Sequence, residues 1–382
     1  MQKFCLLSTI FNKCEVLVQL ILDVHYLSWQ FIKSNIYYHF VVLCYYLGML
    51  KYVVISSGEA SGTSVEIIIK AVQSKPFGAF GGIIVTGDLG VYRKVSNDLS
   101  IPLPFSCFVE TDDDLKDAEQ HGEQYIFYNT SNIDLANFEY GKVSKDTGIA
   151  SFEALKVANR IICNRLAFIL VTTTVSSESL KLAGYKESGL TDLLSIFASS
   201  ERLSNMLVAK KANIFLLSNS VSVKEAIEKI TVENIIDNLV QKEGLFVSEY
   251  FDKSLPIAVG SLNPMRNDGT WSGVEESQII EPAIDIARKI GIKAVGPIPS
   301  DRLYKEAIEG KYSAILAMLR GEAYAALSVE DYVVITWGLP YMRVGSTTDI
   351  SLDLAGKNIA DITNLKKALE IAVQISDKGV FA

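Results

Sequence analysis

From Met49 onward, short apolar runs alternate with amphipathic stretches. That alternation predicts an α/β fold, a parallel or mixed sheet covered by helices. YVVISSG (52–58) reads as a strand ending in a Gly/Ser turn, with an apolar helix opening near Thr63, and IIVTGD (83–88) repeats strand and turn. AFILVTTT (167–174) and ANIFLLSNS (212–220) are continuous apolar runs of the kind that fully buried strands show. SVKE, Ser222 to Glu225, is a capping box that opens a helix. LPIAVGSLNP (255–264) ends a strand in a loop, and the helix EESQIIEPAIDIARKIG (275–291) follows. Its spacing puts Ile279, Ala283, Ile286 and Ile290 on one face with Gly291 as the stop, and Pro282 predicts a kink in the first turns. YSAILAM (312–318) and YVVITWG (332–338) are two more strands, and an amphipathic helix from about Asn364 to Ile375 closes the chain. The polar segment 110–148 reads as a long excursion or domain crossing.

The chain has 382 residues, 49% hydrophobic and 21% charged, with net charge −8, which leaves room for two domains. An acidic balance with no run of lysine and arginine argues against nucleic acid as a partner. Cys5, Cys14, Cys44, Cys107 and Cys163 form no Cys-x-x-Cys pair, so a reducing, cytoplasmic setting fits best. Residues 1–48 differ from the rest: they hold three of the five cysteines and two of the three histidines, His25 and His39. IYYHFVVLCYYLGML (36–50) is apolar but shorter than the roughly 20 residues a bilayer requires, and no small-residue cleavage site follows. Three readings of this segment stand: a start assigned too early with Met49 as the true one, an amphipathic or membrane-associated helix, and a terminal structural element. A domain starting at Met49 opens at once on strand and turn, and no membrane is expected as a partner.

Three stretches carry candidate chemistry. AILAMLRGEAYAAL (314–327) runs a buried strand, Ala314 to Met318, into the charged, glycine-broken turn Arg320-Gly321-Glu322. Such turns at strand ends are where α/β enzymes usually keep their reactive groups. SGEASGTSVE (57–66) could cradle a phosphate, but its spacing matches neither the dinucleotide fingerprint nor the P-loop, and a plain strand-to-helix turn is the alternative. NPMRNDGTWSGVEE (263–276) is a long glycine-flanked turn after a strand, a good place for a ligand.

The order of these motifs resembles the 4-hydroxythreonine-4-phosphate dehydrogenase (PdxA) family of vitamin B6 (pyridoxine) biosynthesis. ISSGEASGTSVEI stands where the family has Gly-Asp-Pro-Ala-Gly-Ile-Gly-Pro-Glu, and AGYKESGLTDLL where it has Gly-His-Thr-Glu. SLNPMRNDGTWSGVEE stands for Asn-Pro-His-Ala-Gly-Glu and GPIPSDRLY for Gly-Pro-x-Pro-Ala-Asp-Thr, with ITWGLPYMR and LDLAGKNIAD completing the set. The resemblance implies two α/β domains around a mixed sheet with an interdomain cleft, isocitrate/isopropylmalate dehydrogenase-like, in a homodimer. It places residues 49–158 plus 345–382 in the first domain and 159–344 in the second, with 1–48 as an extension outside both.

It also implies NAD(P)-dependent oxidation of a phosphorylated hydroxy acid, assisted by a divalent metal on three histidines that polarises the alcohol. Those three positions read Ser220, Met265 and Arg320 here. After Met49 the chain has one histidine, His121, in a charged stretch, so the three-histidine site cannot be built and no divalent metal is expected. Of the family's substrate residues, the His-Thr pair reads Leu190-Thr191, the lysine reads Ser328 and the asparagine Val334, while the arginine after Gly-Leu-Pro is kept as Arg343. Asp301 is kept as well, whereas 347–351 departs from the family's Asp-His-Gly-Thr-Ala. The resemblance thus gives Asp301 and Arg320 as catalytic residues and Thr191 and Arg343 as substrate-binding ones. Asn263, Asp268, Gly269 and Glu275 would hold NAD or NADP. Three functions remain open: an altered dehydrogenase with Arg320 standing in for the metal, a non-catalytic paralogue that binds a phosphorylated small molecule or nucleotide, and acyl or phosphoryl transfer at VTTTVSSES. The last lacks a histidine base.

Overall fold

The computed structural model describes residues 52–74, 81–187, 189–198, 203–209, 212–218, 221–244, 254–264, 273–327, 332–347 and 349–377. The readings offered for 1–48 lie outside the described residues. Twelve strands join one mixed sheet: β1 (Tyr52–Ser56), β2 (Gly82–Asp88), β3 (Cys107–Val109), β4 (Tyr125–Ser131), β5 (Ala167–Thr172), β6 (Ser204–Ala209), β7 (Asn213–Leu216), β8 (Ile257–Gly260), β9 (Ala294–Ile298), β10 (Ala314–Ala317), β11 (Tyr332–Trp337) and β12 (Met342–Ser346). Their order is β3-β4-β2-β1-β5-β12-β11-β6-β7-β10-β8-β9. The strands from β3 to β12 are parallel, as are those from β7 to β9; antiparallel pairs β12/β11, β11/β6 and β6/β7 join the two blocks.

The helices are α1 (Ser64–Gln73), α2 (Leu89–Leu99), α3 (Asp112–Gln120), α4 (Lys145–Cys163), α5 (Ser177–Leu182), α6 (Leu190–Phe197), α7 (Val223–Glu228), α8 (Val232–Gly244), α9 (Glu281–Lys289), α10 (Ser300–Ile308), α11 (Arg320–Leu327) and α12 (Thr363–Asp377). Side chains alternate across a strand, so each strand feeds both faces of the sheet. On one face Val53, Ile83, Val171, Val344, Ile335, Met206, Phe215 and Leu316 belong to a single apolar core that runs the width of the sheet. Residues of α1, α2, α8, α9 and α12 pack into it. The other face carries two separate cores. Tyr52, Val54, Ile84 and Leu170 form one with α3 and α4; Leu207, Ile214, Leu216, Ala258 and Ile315 form the other with α10 and α11. Between them the strands turn polar.

The chain after β12 packs on elements from its first half. The Ile350 carbonyl accepts the Thr63 N–H at 3.0 Å, and the Ala360 N–H reaches Glu66 Oε1 at 3.0 Å. Local signals place several elements well. Thr63 stands at the N-cap position of α1 with its hydroxyl turned to the Ile350 carbonyl, and Ser222 and Glu225 form the reciprocal capping box of α7.

Three expectations are corrected. The segment 110–148 is no excursion: it supplies α3 and β4, and β4 pairs in parallel with β2 and β3 inside the sheet. The helix after Glu275 buries Ile280, Ala283, Ile284 and Ala287, while Ile286 and Ile290 are exposed. A π-helical turn, Glu276–Ile280, precedes Pro282, which sits in the first turn of α9. The wider turn rotates the apolar face and seats the proline where no intrahelical N–H is needed. Arg320-Gly321-Glu322, finally, is no loop but the first turn of α11.

Candidate functional site

The polar interruption on the divided face follows from strand register. Thr336 of β11 stands opposite Asn205 on one side and Arg343 on the other, and Gly345 stands opposite Thr172. Directly opposed residues share a face, so four neighbouring strands bring Thr172, Arg343, Thr336 and Asn205 together. Arg343 is 6% exposed. Its Nε and Nη2 donate to Thr172 Oγ1 at 3.0 and 2.7 Å, and Nη1 donates to Thr336 Oγ1 at 2.9 Å. The Thr336 hydroxyl in turn donates to Asn205 Oδ1 at 2.8 Å.

Gly345 makes that geometry possible. The guanidinium lies back along its own strand, and a Cβ at 345 would sit 2.2 Å from Nη2 and 2.5 Å from Cζ. Burial weakens the guanidinium's hold on its proton, to a pKa of about 10, with the Tyr324 and Tyr341 hydroxyls acting weakly the other way. Among the described residues no carboxylate forms an ion pair with Arg343.

A cavity of about 180 Å³ opens over this row. Arg343, Arg320, Thr191 and Asn205 line it, with Thr173, Thr174 and Ser346 around them. Thr191 comes from the first turn of α6 and Arg320 from that of α11. Tyr324, one helical turn after Arg320, stacks under it with the guanidinium carbon 4.7 Å from the ring centre. Thr173 and Thr174 are fixed from behind by the Gly/Ser turn after β1. The Gly58 N–H donates to Thr173 Oγ1 at 2.7 Å and the Glu59 N–H to the Thr174 carbonyl at 2.9 Å. A Cβ on Gly58 would meet that carbonyl at 2.0 Å. Ser64 and Ser61 bond within the turn, to the Gly58 N–H and to Glu59. The turn therefore buttresses the cavity wall, and its glycine permits the close approach.

The other candidate residues lie elsewhere. Asp301 is exposed in the first turn of α10 and does not line the cavity. Glu322 accepts from Ser300 Oγ at 2.9 Å, and burial pushes its carboxyl pKa up. Asn263 Nδ2 donates to Glu275 Oε2 at 3.0 Å and to Glu276 Oε2 at 2.8 Å. Glu276, which sequence reasoning passed over, is buried; its Oε1 takes the Leu262 and Asn263 N–H groups at 2.9 and 2.8 Å. These bonds tie together the two ends of the loop 263–276. Its own backbone N–H first, then the Asn263 amide and the Val274 N–H, hold the Glu275 carboxyl below the usual range against a small effect of burial. Asp268, Gly269, Ser220 and Met265 lie outside the described residues.

The described lining offers a divalent cation two guanidiniums and no imidazole or carboxylate. His121 caps α3 at the surface, its side chain 70% exposed. Among the described residues no group of three His, Cys, Asp or Glu gathers that could hold a metal. These residues do not fit a metal-polarised alcohol.

The family description "pyridoxal phosphate biosynthetic protein PdxA" matches residues 81–372. The chain belongs to the PdxA family. It is thereby a member of a family of dehydrogenases. A protein of Halalkalibacterium halodurans, provisionally named D-threonate 4-phosphate dehydrogenase, is 27% identical over 333 residues, covering 86% of this chain and 98% of that one. The 4-hydroxythreonine-4-phosphate dehydrogenase of Geobacter metallireducens is 28% identical over 327 residues, 85% and 95% of the two chains. The crystal structure of the Klebsiella pneumoniae 4-hydroxythreonine-4-phosphate dehydrogenase superposes with a TM-score of 0.70 at 23% identity, over 86% and 98% of the chains, and so shares the fold. Among the described residues no helix is long and apolar enough to cross a membrane.

In this PdxA-family chain, Thr191, Arg320 and Arg343 meet at one cavity, while Asp301 does not join them. Thr172, Thr336, Asn205 and Gly345 were missed. One signal was available: Arg343 and Thr336 hold apolar-face positions in otherwise apolar strands, where a polar residue needs a reason.

Proposed function

We propose that this PdxA-family chain binds a phosphorylated hydroxy acid in the cavity at Arg343, and that the family's metal-assisted step is altered or lost. The Arg343 guanidinium is the observation that supports this most. It is buried, its hydrogen bonds go to hydroxyls alone, and they use three of its five N–H groups. Burying a cation without a counter-charge is costly. A ligand phosphate or carboxylate offsets that cost through charge-assisted hydrogen bonds. Thr191 is a further polar residue of the same lining.

Oxidation of the alcohol needs NAD or NADP, which supplies the hydride acceptor. We place it at the loop carrying Asn263, Asp268, Gly269 and Glu275, whose ends the Asn263–Glu275 and Asn263–Glu276 bonds fix. Arg320 then stands where an electrostatic stabiliser of the developing oxyanion is needed, a weaker substitute than a Lewis acid. Asp301 takes no part. The working unit is a cytoplasmic homodimer, and sedimentation equilibrium tests that state.

One observation favours the non-catalytic alternative: the described cavity lining has no imidazole or carboxylate to accept the hydroxyl proton. Two measurements separate the possibilities. Thermal-shift titrations with NAD, NADP and phosphorylated hydroxy acids, with EDTA or with added divalent ions, read binding. Absorbance of the reduced cofactor reads turnover. Stabilisation by the phosphorylated acid in EDTA is the expected result, and its absence under every condition contradicts the proposal. Binding with no reduced cofactor formed under any condition selects the non-catalytic form.

A further inference from the structure

Asn205 lines the cavity, and the hydrogen bonds traced from Arg343 decide which end of its amide is taken. A guanidinium only donates, so Thr336 Oγ1 accepts from Arg343 Nη1 at 2.9 Å. The Thr336 hydroxyl has its own hydrogen left to give, and it goes to Asn205 Oδ1 at 2.8 Å. Thr336 is 2% exposed, which keeps that hydrogen from water. Turning the amide over would set its Nδ2 hydrogens against the Thr336 oxygen and strand the hydroxyl hydrogen in the interior. The bonds thus run one way, from cation to hydroxyl to amide carbonyl, and leave Asn205 Nδ2 with its hydrogens. No other described residue bonds this amide.

Resting on the anion-binding proposal above, we infer that Asn205 is a second ligand-binding residue, donating from Nδ2 to an oxygen of the anion that Arg343 holds. Thr336 is the positioning residue that sets the amide. Register supports the placement: Asn205, Thr336 and Arg343 stand side by side on three neighbouring strands. Only the Thr336 hydroxyl separates amide from guanidinium, so one anion can touch both. Along β6, Leu207 lies two residues on, on the same face, fully buried in the apolar core there. A polar side chain at such a position calls for partners. The Thr336 bond accounts for the amide oxygen and not for the nitrogen. A neutral donor suits the place, because it adds a charge-assisted hydrogen bond to a phosphate or carboxylate without burying a further charge.

The test is titration calorimetry of 2,3-dihydroxy-4-phosphobutanoate, a phosphorylated hydroxy acid, into the full chain and its variants in EDTA. Asn205→Leu is expected to weaken binding about tenfold. Asn205→Asp keeps an acceptor for Thr336 but loses the donor, and should weaken binding more than leucine does; wild-type affinity in this variant overturns the inference. In a Thr336→Val background the Asn205→Leu loss should shrink to about threefold, because an amide no longer held in place donates less well. No loss at all in that background means that Asn205 acts only through Thr336, and overturns its role as a ligand donor. An undiminished tenfold loss overturns the positioning role of Thr336. Competition by inorganic phosphate and by 2,3-dihydroxybutanoate tells which end of the acid the amide holds: the competitor weakened by Asn205→Leu carries that anion, and undiminished competition by both contradicts the inference. If the wild type binds the phosphorylated acid and Asn205→Leu binds it equally well, this inference alone fails. If the wild type does not bind it, the anion-binding proposal fails first.

Discussion

The two faces of the one sheet are built from the same strands and differ completely. Within β12, Met342 and Val344 enter the continuous core, while Arg343 and Gly345 form part of the polar row on the opposite side. The continuous face has no break from β2 to β10, and its job is cohesion. The divided face gives up apolar contact at its centre and gains a cavity with a buried guanidinium. With the anion site proposed for that cavity, the alternation of the strand separates stability from ligand binding, residue by residue. Mutations on the two faces should fail in different ways.

The largest effect belongs to the continuous face. Phe215→Ala removes a fully buried ring there, and urea unfolding should show a loss of about 3–5 kcal/mol. Ligand affinity of the folded fraction should be unchanged. An affinity loss with little loss of stability would break the comparison. On the divided face, Arg343→Met should do the reverse. Affinity for a phosphorylated hydroxy acid falls about tenfold or more, while stability without ligand holds or rises by about 1 kcal/mol, since a buried cation gives way to apolar volume. A clear destabilisation of the ligand-free protein would show that Arg343 is structural.

Gly345→Ala sharpens the same point with a smaller effect. A Cβ at 2.2 Å from Nη2 pushes the guanidinium off its two threonines, and affinity should fall about fivefold, measured by calorimetry. In an Arg343→Met background the same change should have no effect on affinity, because the two residues act as one unit. Equal losses in both backgrounds would place the role of Gly345 in the strand and not in the arginine. Smallest of all, Ser144→Ala removes the cap of α4, whose side chain takes the Thr147 N–H at 3.2 Å. Unfolding should show a loss of about 1 kcal/mol, with ligand affinity unchanged.

Much of the fold was legible because its signals are local. The strand runs, the start of α1 at Thr63 and the Ser222–Glu225 capping box all appear within a few residues of sequence. The face of α9 was misplaced because a π-helical turn shifts the period, and nothing in EESQIIEP announces it. The segment 110–148 was misjudged because a polar surface hides β4, of which only the middle, Ile126 to Tyr128, is buried. At the site, Thr191, Arg320 and Arg343 were reached through the family resemblance, and they do share a cavity. Thr172, Thr336 and Asn205 were not, because their meeting depends on register across four strands drawn from three separate parts of the chain.

Titration calorimetry of 2,3-dihydroxy-4-phosphobutanoate into the full chain and into Arg343→Met, each with EDTA and with added magnesium, manganese or zinc, tests the Arg343 anion site most directly. Affinity in the wild type should be the same with and without the ions, and the single substitution should remove most of it. Binding that appears only when a divalent ion is added, or that survives the loss of Arg343, would contradict a site built on a buried guanidinium.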